Sequence, residues 1–233
     1  MPASSPPIRP RPRLLVSVRD PAEAEATRLA GADLIDAKDP ERGALGALDP
    51  ACVREIVDRV AGEAVTSAVA DPAPAALAAM AATGVDWVKT GLDADRRRDT
   101  AAFAALAAAA GGRLIAVLFA EDGADAGLLP ALAQAGFAGA MIDTAGKGGP
   151  RLPDLIEPRD LAAFTQACRA HGLMSGLAGS LRVIDIAPLA EHRPDYLGFR
   201  GGLCRDFDRR NGLDPLRIAE ALRALRPNQR DAA

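Results

Sequence analysis

The sequence predicts an α/β chain in which parallel βαβ units close into one (β/α)8 barrel. Three observations lead there. Short apolar runs of strand length recur along the chain, an acidic residue followed by proline precedes many of the helix-sized stretches, and a glycine ends most of those stretches. The acidic–proline marks are Asp20-Pro21, Asp49-Pro50, Asp71-Pro72, Glu157-Pro158 and Asp214-Pro215. A carboxylate there accepts from free N–H groups at a helix start, and proline at the first helical position loses no hydrogen bond. The glycines are Gly31, Gly62, Gly84, Gly111, Gly136 and Gly172, which fit left-handed helix ends.

The apolar runs follow in order: Leu14–Val18, Leu34–Lys38, Ala64–Ala70, Trp87–Gly91, Arg113–Ala120, Gly139–Thr144, Leu173–Ala178 and Tyr196–Arg200. Helix-sized segments such as Pro21–Ala30 and Thr100–Ala110 lie between them. Strand then helix, repeated eight times, points to parallel units, and eight such units close a barrel. An open doubly wound sheet usually carries a Gly-rich phosphate fingerprint after its first strand. Here that strand is followed by Ser17-Val18-Arg19-Asp20. No shift in composition marks a second domain, so the barrel is expected over residues 14–226. The Pro/Arg-rich start, residues 1–13, is expected to be a disordered extension and residues 227–233 a tail.

Composition narrows the function classes. The net charge of −3 over 233 residues gives no basic footprint for nucleic acid. No apolar run reaches membrane-spanning length, and the start lacks the apolar stretch of a signal peptide. Cys52, Cys168 and Cys204 are too few and too scattered for a disulfide framework or a zinc site. A reducing cytoplasm is the simplest setting. Association into a homo-oligomer is left open.

Among 28 cationic side chains only three are lysines, Lys38, Lys89 and Lys147. They fall at or near the ends of the second, fourth and sixth expected strands, on the face where such barrels carry their active sites. Arginine cannot replace lysine where an amine must lose its proton. Ammonium groups that share a pocket lower one another's pKa, and a neutral amine can form a Schiff base with a carbonyl. Asp36 lies two residues before Lys38, on the same side of the strand, where it can orient the amine or only hold an ion pair. Asp143 ends the sixth strand, four residues before Lys147, and suits an acid, a base or a lysine partner. The last two strands run into Gly179-Ser180 and Arg200-Gly201-Gly202. Loops at those positions commonly bind phosphate, with glycine amides approaching the oxygens and Arg200 offering a bidentate fork. His171 and His192 fall near helix ends on the opposite rim and read as solvated caps.

These segments resemble one known family. Residues 30–47, Ala-Gly-Ala-Asp-Leu-Ile-Asp-Ala-Lys-Asp-Pro-Glu-Arg-Gly-Ala-Leu-Gly-Ala, look like a signature of (5-formylfuran-3-yl)methyl phosphate synthase. Asp86-Trp87-Val88-Lys89-Thr90-Gly91, Met141-Ile142-Asp143-Thr144 with Lys147, Leu177-Ala178-Gly179-Ser180 and Arg200-Gly201-Gly202 before Cys204 agree in order and spacing. The resemblance covers about residues 13–226. It implies a TIM-barrel lyase that condenses two molecules of glyceraldehyde 3-phosphate into a furan aldehyde phosphate, releasing phosphate and water, for methanofuran-type cofactors. It implies Lys38 as the Schiff-base lysine, Lys89 as proton acceptor, Asp143 and Lys147 as further pocket residues, and no metal or organic cofactor. The Pro/Arg-rich extension and the charged stretch Arg205–Asn211 depart from the pattern. Two other readings stay open on the fold alone: a class I aldolase or phosphosugar isomerase, and a non-catalytic sensor of phosphorylated metabolites.

Overall fold

The structure, a computed structural model, describes residues 11–146 and 149–226. Eight strands form a closed parallel barrel in chain order. They are β1 Arg13–Val18, β2 Leu34–Ala37, β3 Val65–Val69, β4 Trp87–Leu92, β5 Leu114–Phe119, β6 Gly139–Asp143, β7 Met174–Leu177 and β8 Tyr196–Phe199. Each falls on one of the expected apolar runs, with ends shifted by a residue or two. β8 pairs with β1 through Leu15 opposite Gly198, which closes the ring.

Helices follow the strands: α1 Pro21–Leu29, α2 Pro50–Val60, α3 Pro74–Ala81, α4 Phe103–Ala109, α5 Leu129–Gln134, α6 Leu152–Leu155, α7 Pro158–Ala170, α8 Ile186–Ala190 and α9 Pro215–Leu225. Asp20, Asp49 and Asp214 cap α1, α2 and α9, accepting from the N–H of Glu23, Ala51 and Leu216. Glu157 precedes α7 without a capping bond. Asp71-Pro72 does not open a helix; α3 starts at Pro74 after Ala73, so the second proline takes the N-terminal position. Gly31 after α1 (φ 88°) and Gly84 after α3 (φ 94°) hold the left-handed turns expected of them.

The expected extension is too long at its inner end. Arg13 opens β1, and Arg11 makes a two-pronged ion pair with Asp33 at 2.8 and 2.9 Å. Residues 1–10 and the tail 227–233 lie outside the described residues. The Asp33 carboxylate also accepts from Leu14 N–H at 2.7 Å. Asp86 holds Thr66 N–H and Asp195 holds Ser175 N–H in the same way, each at 2.7 Å. Thus the aspartates ahead of β2, β4 and β8 tie down the first residues of the preceding strands, on the rim away from the lysines.

Alternation along the strands creates two apolar layers. Outward residues such as Leu14, Val16, Ile35, Val88, Leu118, Ile142 and Leu197 pack on the helices. Inward residues Leu15, Leu34, Ile115, Val117, Met141 and Tyr196 form a separate plug inside the barrel, with Trp87 and Met174 packed against it. The plug supports the polar side chains above it. Among the described residues, no helix is long and apolar enough to cross a membrane.

Candidate active site

A cavity of about 910 Å³ opens at the C-terminal ends of the strands. Asp36, Lys38, Lys89 and Asp143 all line it. β2, β4 and β6 bring them together, as the alternate-strand reasoning expects. The pairing differs from the simplest reading of the sequence. Asp36 reaches across the barrel to Lys89, with Oδ1 at 2.6 Å from Nζ. Lys38 faces Asp143 instead, with Nζ at 3.6 Å from Oδ2. Asp36 and Lys38 share a strand face, yet each is matched to a partner on another strand.

Depth explains the difference. Lys89 is not at a strand end; it sits in the middle of β4, 3% exposed, level with the fully buried Asp36. Lys38 follows the last residue of β2 and sits at the mouth. The two pairs therefore form a lower and an upper tier.

The lower tier has two further members that sequence reasoning missed. Ser17 Oγ donates to Asp36 Oδ2 at 2.9 Å, and Ser67 Oγ donates to Oδ1 at 2.8 Å. Strand register places them there: Ser17 on β1 and Ser67 on β3 both stand directly opposite Asp36. The available signal was a lone small hydroxyl residue on the inward side of each strand.

Electrostatics follow from this packing. Burial alone would raise the Asp36 carboxyl, but Lys89, Lys38 and the Ser67 hydroxyl outweigh it and hold it below the usual carboxylate range. For Lys89, burial is the largest influence and lowers the ammonium's pKa. The Lys38 charge lowers it further and Asp36 offsets part of the shift, leaving Lys89 below an ordinary lysine. A buried amine of lowered pKa beside a fixed carboxylate can exchange a proton with a substrate carbon.

In the upper tier, Asp143 Oδ1 accepts from Thr144 N–H at 2.8 Å, which fixes the carboxylate. Glu121 accepts from Ala145 and Gly146 N–H at 2.9 and 3.0 Å, which pins the loop after β6. Lys147 lies outside the described residues.

Gly179, Ser180, Arg200, Gly201 and Gly202 also line the cavity. Gly179 (φ 121°) is packed on Thr144: a Cβ there would lie 2.7 Å from Thr144 Cγ2. A Cβ on Gly202 would overlap the Leu181 carbonyl oxygen, so the loops after β7 and β8 touch. The amides of Ser180, Leu181, Gly201 and Gly202 make no hydrogen bond among the described residues. Four free N–H groups on two touching loops suit phosphate oxygens. Arg200 behaves differently from the open fork expected of it. Nη1 donates to Ser17 O at 3.0 Å, Nη2 to Glu23 Oε1 at 3.1 Å and Nε to Arg209 O at 3.1 Å. A buried guanidinium requires such partners, and this one braces β1, α1 and the loop after β8.

Fold and pocket together define a TIM-barrel protein with a two-tier lysine–carboxylate cluster where such barrels carry their active sites. The chain belongs to the 4-HFC-P synthase family, whose profile matches residues 14–222. A Methylorubrum extorquens protein, named only provisionally as a (5-formylfuran-3-yl)methyl phosphate synthase, is 58% identical over 229 residues, covering 96% of each chain. The (5-formylfuran-3-yl)methyl phosphate synthase of Methanopyrus kandleri is 34% identical over 221 residues, covering 87% of this chain and 93% of that one. Among solved structures, phosphoribosyl anthranilate isomerase of Thermotoga maritima superposes with a TM-score of 0.68 at 13% identity, covering 92% of this chain and 98% of that one. That likeness concerns the fold.

Proposed function

We propose that this chain condenses two molecules of glyceraldehyde 3-phosphate into (5-formylfuran-3-yl)methyl phosphate, with loss of phosphate and water, through a Schiff base on Lys38. The reading makes it a carbon–oxygen lyase working without an added cofactor, in the cytoplasm, on a route to methanofuran-type cofactors. The observation that carries it is the two-tier arrangement: Lys38 with Asp143 at the mouth, Lys89 with Asp36 beneath.

The steps follow from the positions. Lys38 passes a proton to Asp143 and attacks the aldehyde carbon of one triose phosphate; water leaves as the imine forms. The protonated imine draws electrons and acidifies the neighbouring C–H. Lys89 takes that proton, with Asp36 holding the resulting ammonium. The electron pair left on carbon expels the phosphate from the next carbon. Loss of phosphate leaves an enol, whose CH2 carbon attacks the keto carbon of the second triose phosphate after that molecule has isomerised from aldehyde to ketone. Its C1 hydroxyl then closes on the first molecule's C2 carbonyl, two waters leave to form the furan, and water hydrolyses the imine to free Lys38. The amides of the loops after β7 and β8 suit one phosphate. The family resemblance gives Lys147 a supporting role.

The test is turnover. Purified protein given glyceraldehyde 3-phosphate should release phosphate while a near-UV furan absorbance grows, with the furan aldehyde phosphate found by mass. A sugar phosphate formed without phosphate release would favour the aldolase or isomerase reading. Binding without any turnover would favour the sensor.

A further inference from the structure

Two triose phosphates bring two doubly charged phosphates into one cavity, and the amide cradle suits one. A second position needs a cation that the protein has not already neutralised. Most pocket arginines are taken. Arg200 is held by Glu23; Arg151 pairs with Asp154 at 3.0 Å and Asp185 at 2.6 Å; Arg210 pairs with Asp208 at 2.7 Å. Arg182 is exposed and stacks over Phe207, 5.3 Å from the ring centre.

Arg209 is different. It lines the cavity from the loop after β8, half-buried, with no carboxylate at ion-pair distance among the described residues. Its Nη2 donates to the Gly43 carbonyl at 2.8 Å, across the mouth, in the loop that follows Lys38. Its Nε is buried and has no hydrogen-bond partner among the described residues. Asp143, the partner of Lys38, is the first carboxylate whose charge favours the Arg209 cation against its burial. Its own carbonyl is gripped by Arg200 Nε, so the buried Glu23–Arg200 pair fixes the backbone from which Arg209 extends. A buried guanidinium N–H without an acceptor is costly unless a ligand supplies one.

We propose that Arg209 is a substrate-binding residue that holds the phosphate of a triose phosphate above the Lys38–Asp143 pair, a second anion position beside the amide cradle. Gly43 aims the guanidinium, and Arg200 acts as a positioning residue behind it. The proposal rests on the triose-phosphate reading given above.

The experiment is calorimetric titration of the full chain with glycerol 3-phosphate, a phosphate ester that cannot form an imine. Wild type is expected to take up two equivalents per chain. Arg209→Gln should weaken the second by about 10-fold or more, the loss of one charged hydrogen bond. Arg209→Lys should lie between, and Arg205→Gln, an exposed neighbour in the same loop, should match wild type. Urea midpoints equal to wild type would show that the variants fold. Two equivalents with unchanged affinity in Arg209→Gln, a single equivalent in wild type, or equal weakening in Arg205→Gln would overturn the proposal. Turnover of glyceraldehyde 3-phosphate in the same preparation separates the two claims. Arg209-dependent binding without furan formation would sink the synthase reading and leave the anion position standing. Furan formation with Arg209-independent binding would do the reverse.

Discussion

Replacing Asp36 by Asn strands the Lys89 ammonium. The pair is almost wholly out of water, with the two side chains 0% and 3% exposed. Removing one partner of a buried pair costs about 3–5 kcal/mol when the other stays charged. Lys89 has one escape, which is to give up its proton. From an ordinary lysine pKa near 10.4 that costs about 4.6 kcal/mol at pH 7 and about 1.2 kcal/mol at pH 9.5, at 1.36 kcal/mol per unit. Burial and Lys38 already push Lys89 toward the neutral form, and Asp36 is the main force opposing them. In Asp36→Asn the folded chain therefore carries one proton fewer at this site than the unfolded chain. The stability of the variant then rises with pH relative to wild type, by up to about 1.4 kcal/mol per unit. Urea unfolding of both proteins at pH 7, 8 and 9.5 measures this. The expected deficit is about 3–5 kcal/mol at pH 7, shrinking to about 1–2 kcal/mol at pH 9.5. A deficit that stays constant or widens over this range would refute the stranded-charge argument and place the cost in the hydroxyl bonds from Ser17 and Ser67.

Other substitutions probe the same framework. Ser67→Ala removes one donor from a buried carboxylate and should cost about 1–3 kcal/mol. It should also raise the Asp36 carboxyl, so stability that wild type keeps well into acid is lost at a higher pH, read as an upward shift of the acid-unfolding midpoint. Glu23→Gln leaves Arg200 buried without its carboxylate and should cost about 3–5 kcal/mol by urea unfolding at pH 7. Gly202→Ala drives a methyl group into the Leu181 carbonyl. It should cost about 1–3 kcal/mol and raise KM for the phosphorylated substrate, since the two loops must part.

The barrel was legible because its signals are local. Each strand is a short apolar run, and Asp-Pro and glycine marks separate the runs; where two prolines compete, as at Pro72 and Pro74, local reasoning chose the wrong helix start. The lysines stood out because arginine fills the other cationic positions. What the sequence did not show depends on contacts between distant segments. Asp36 and Lys38 share a strand face, but barrel depth decides which carboxylate each amine meets. Ser17 and Ser67 acquire a role only through strand register. Arginine is so frequent here that nothing local separates the structural Arg200 from Arg209, and the contact between Arg209 and Gly43 spans 166 positions. The Glu23–Arg200 pair joins α1 to the loop after β8 and was equally out of reach.

The proposed nucleophile is Lys38. Borohydride added to the protein with glyceraldehyde 3-phosphate, followed by peptide mass mapping, tests it directly. A reduced adduct is expected on the peptide bearing Lys38, absent in Lys38→Arg, which keeps the charge and loses the nucleophile. An adduct on Lys89 instead, or no adduct from a preparation that still turns over substrate, would contradict it.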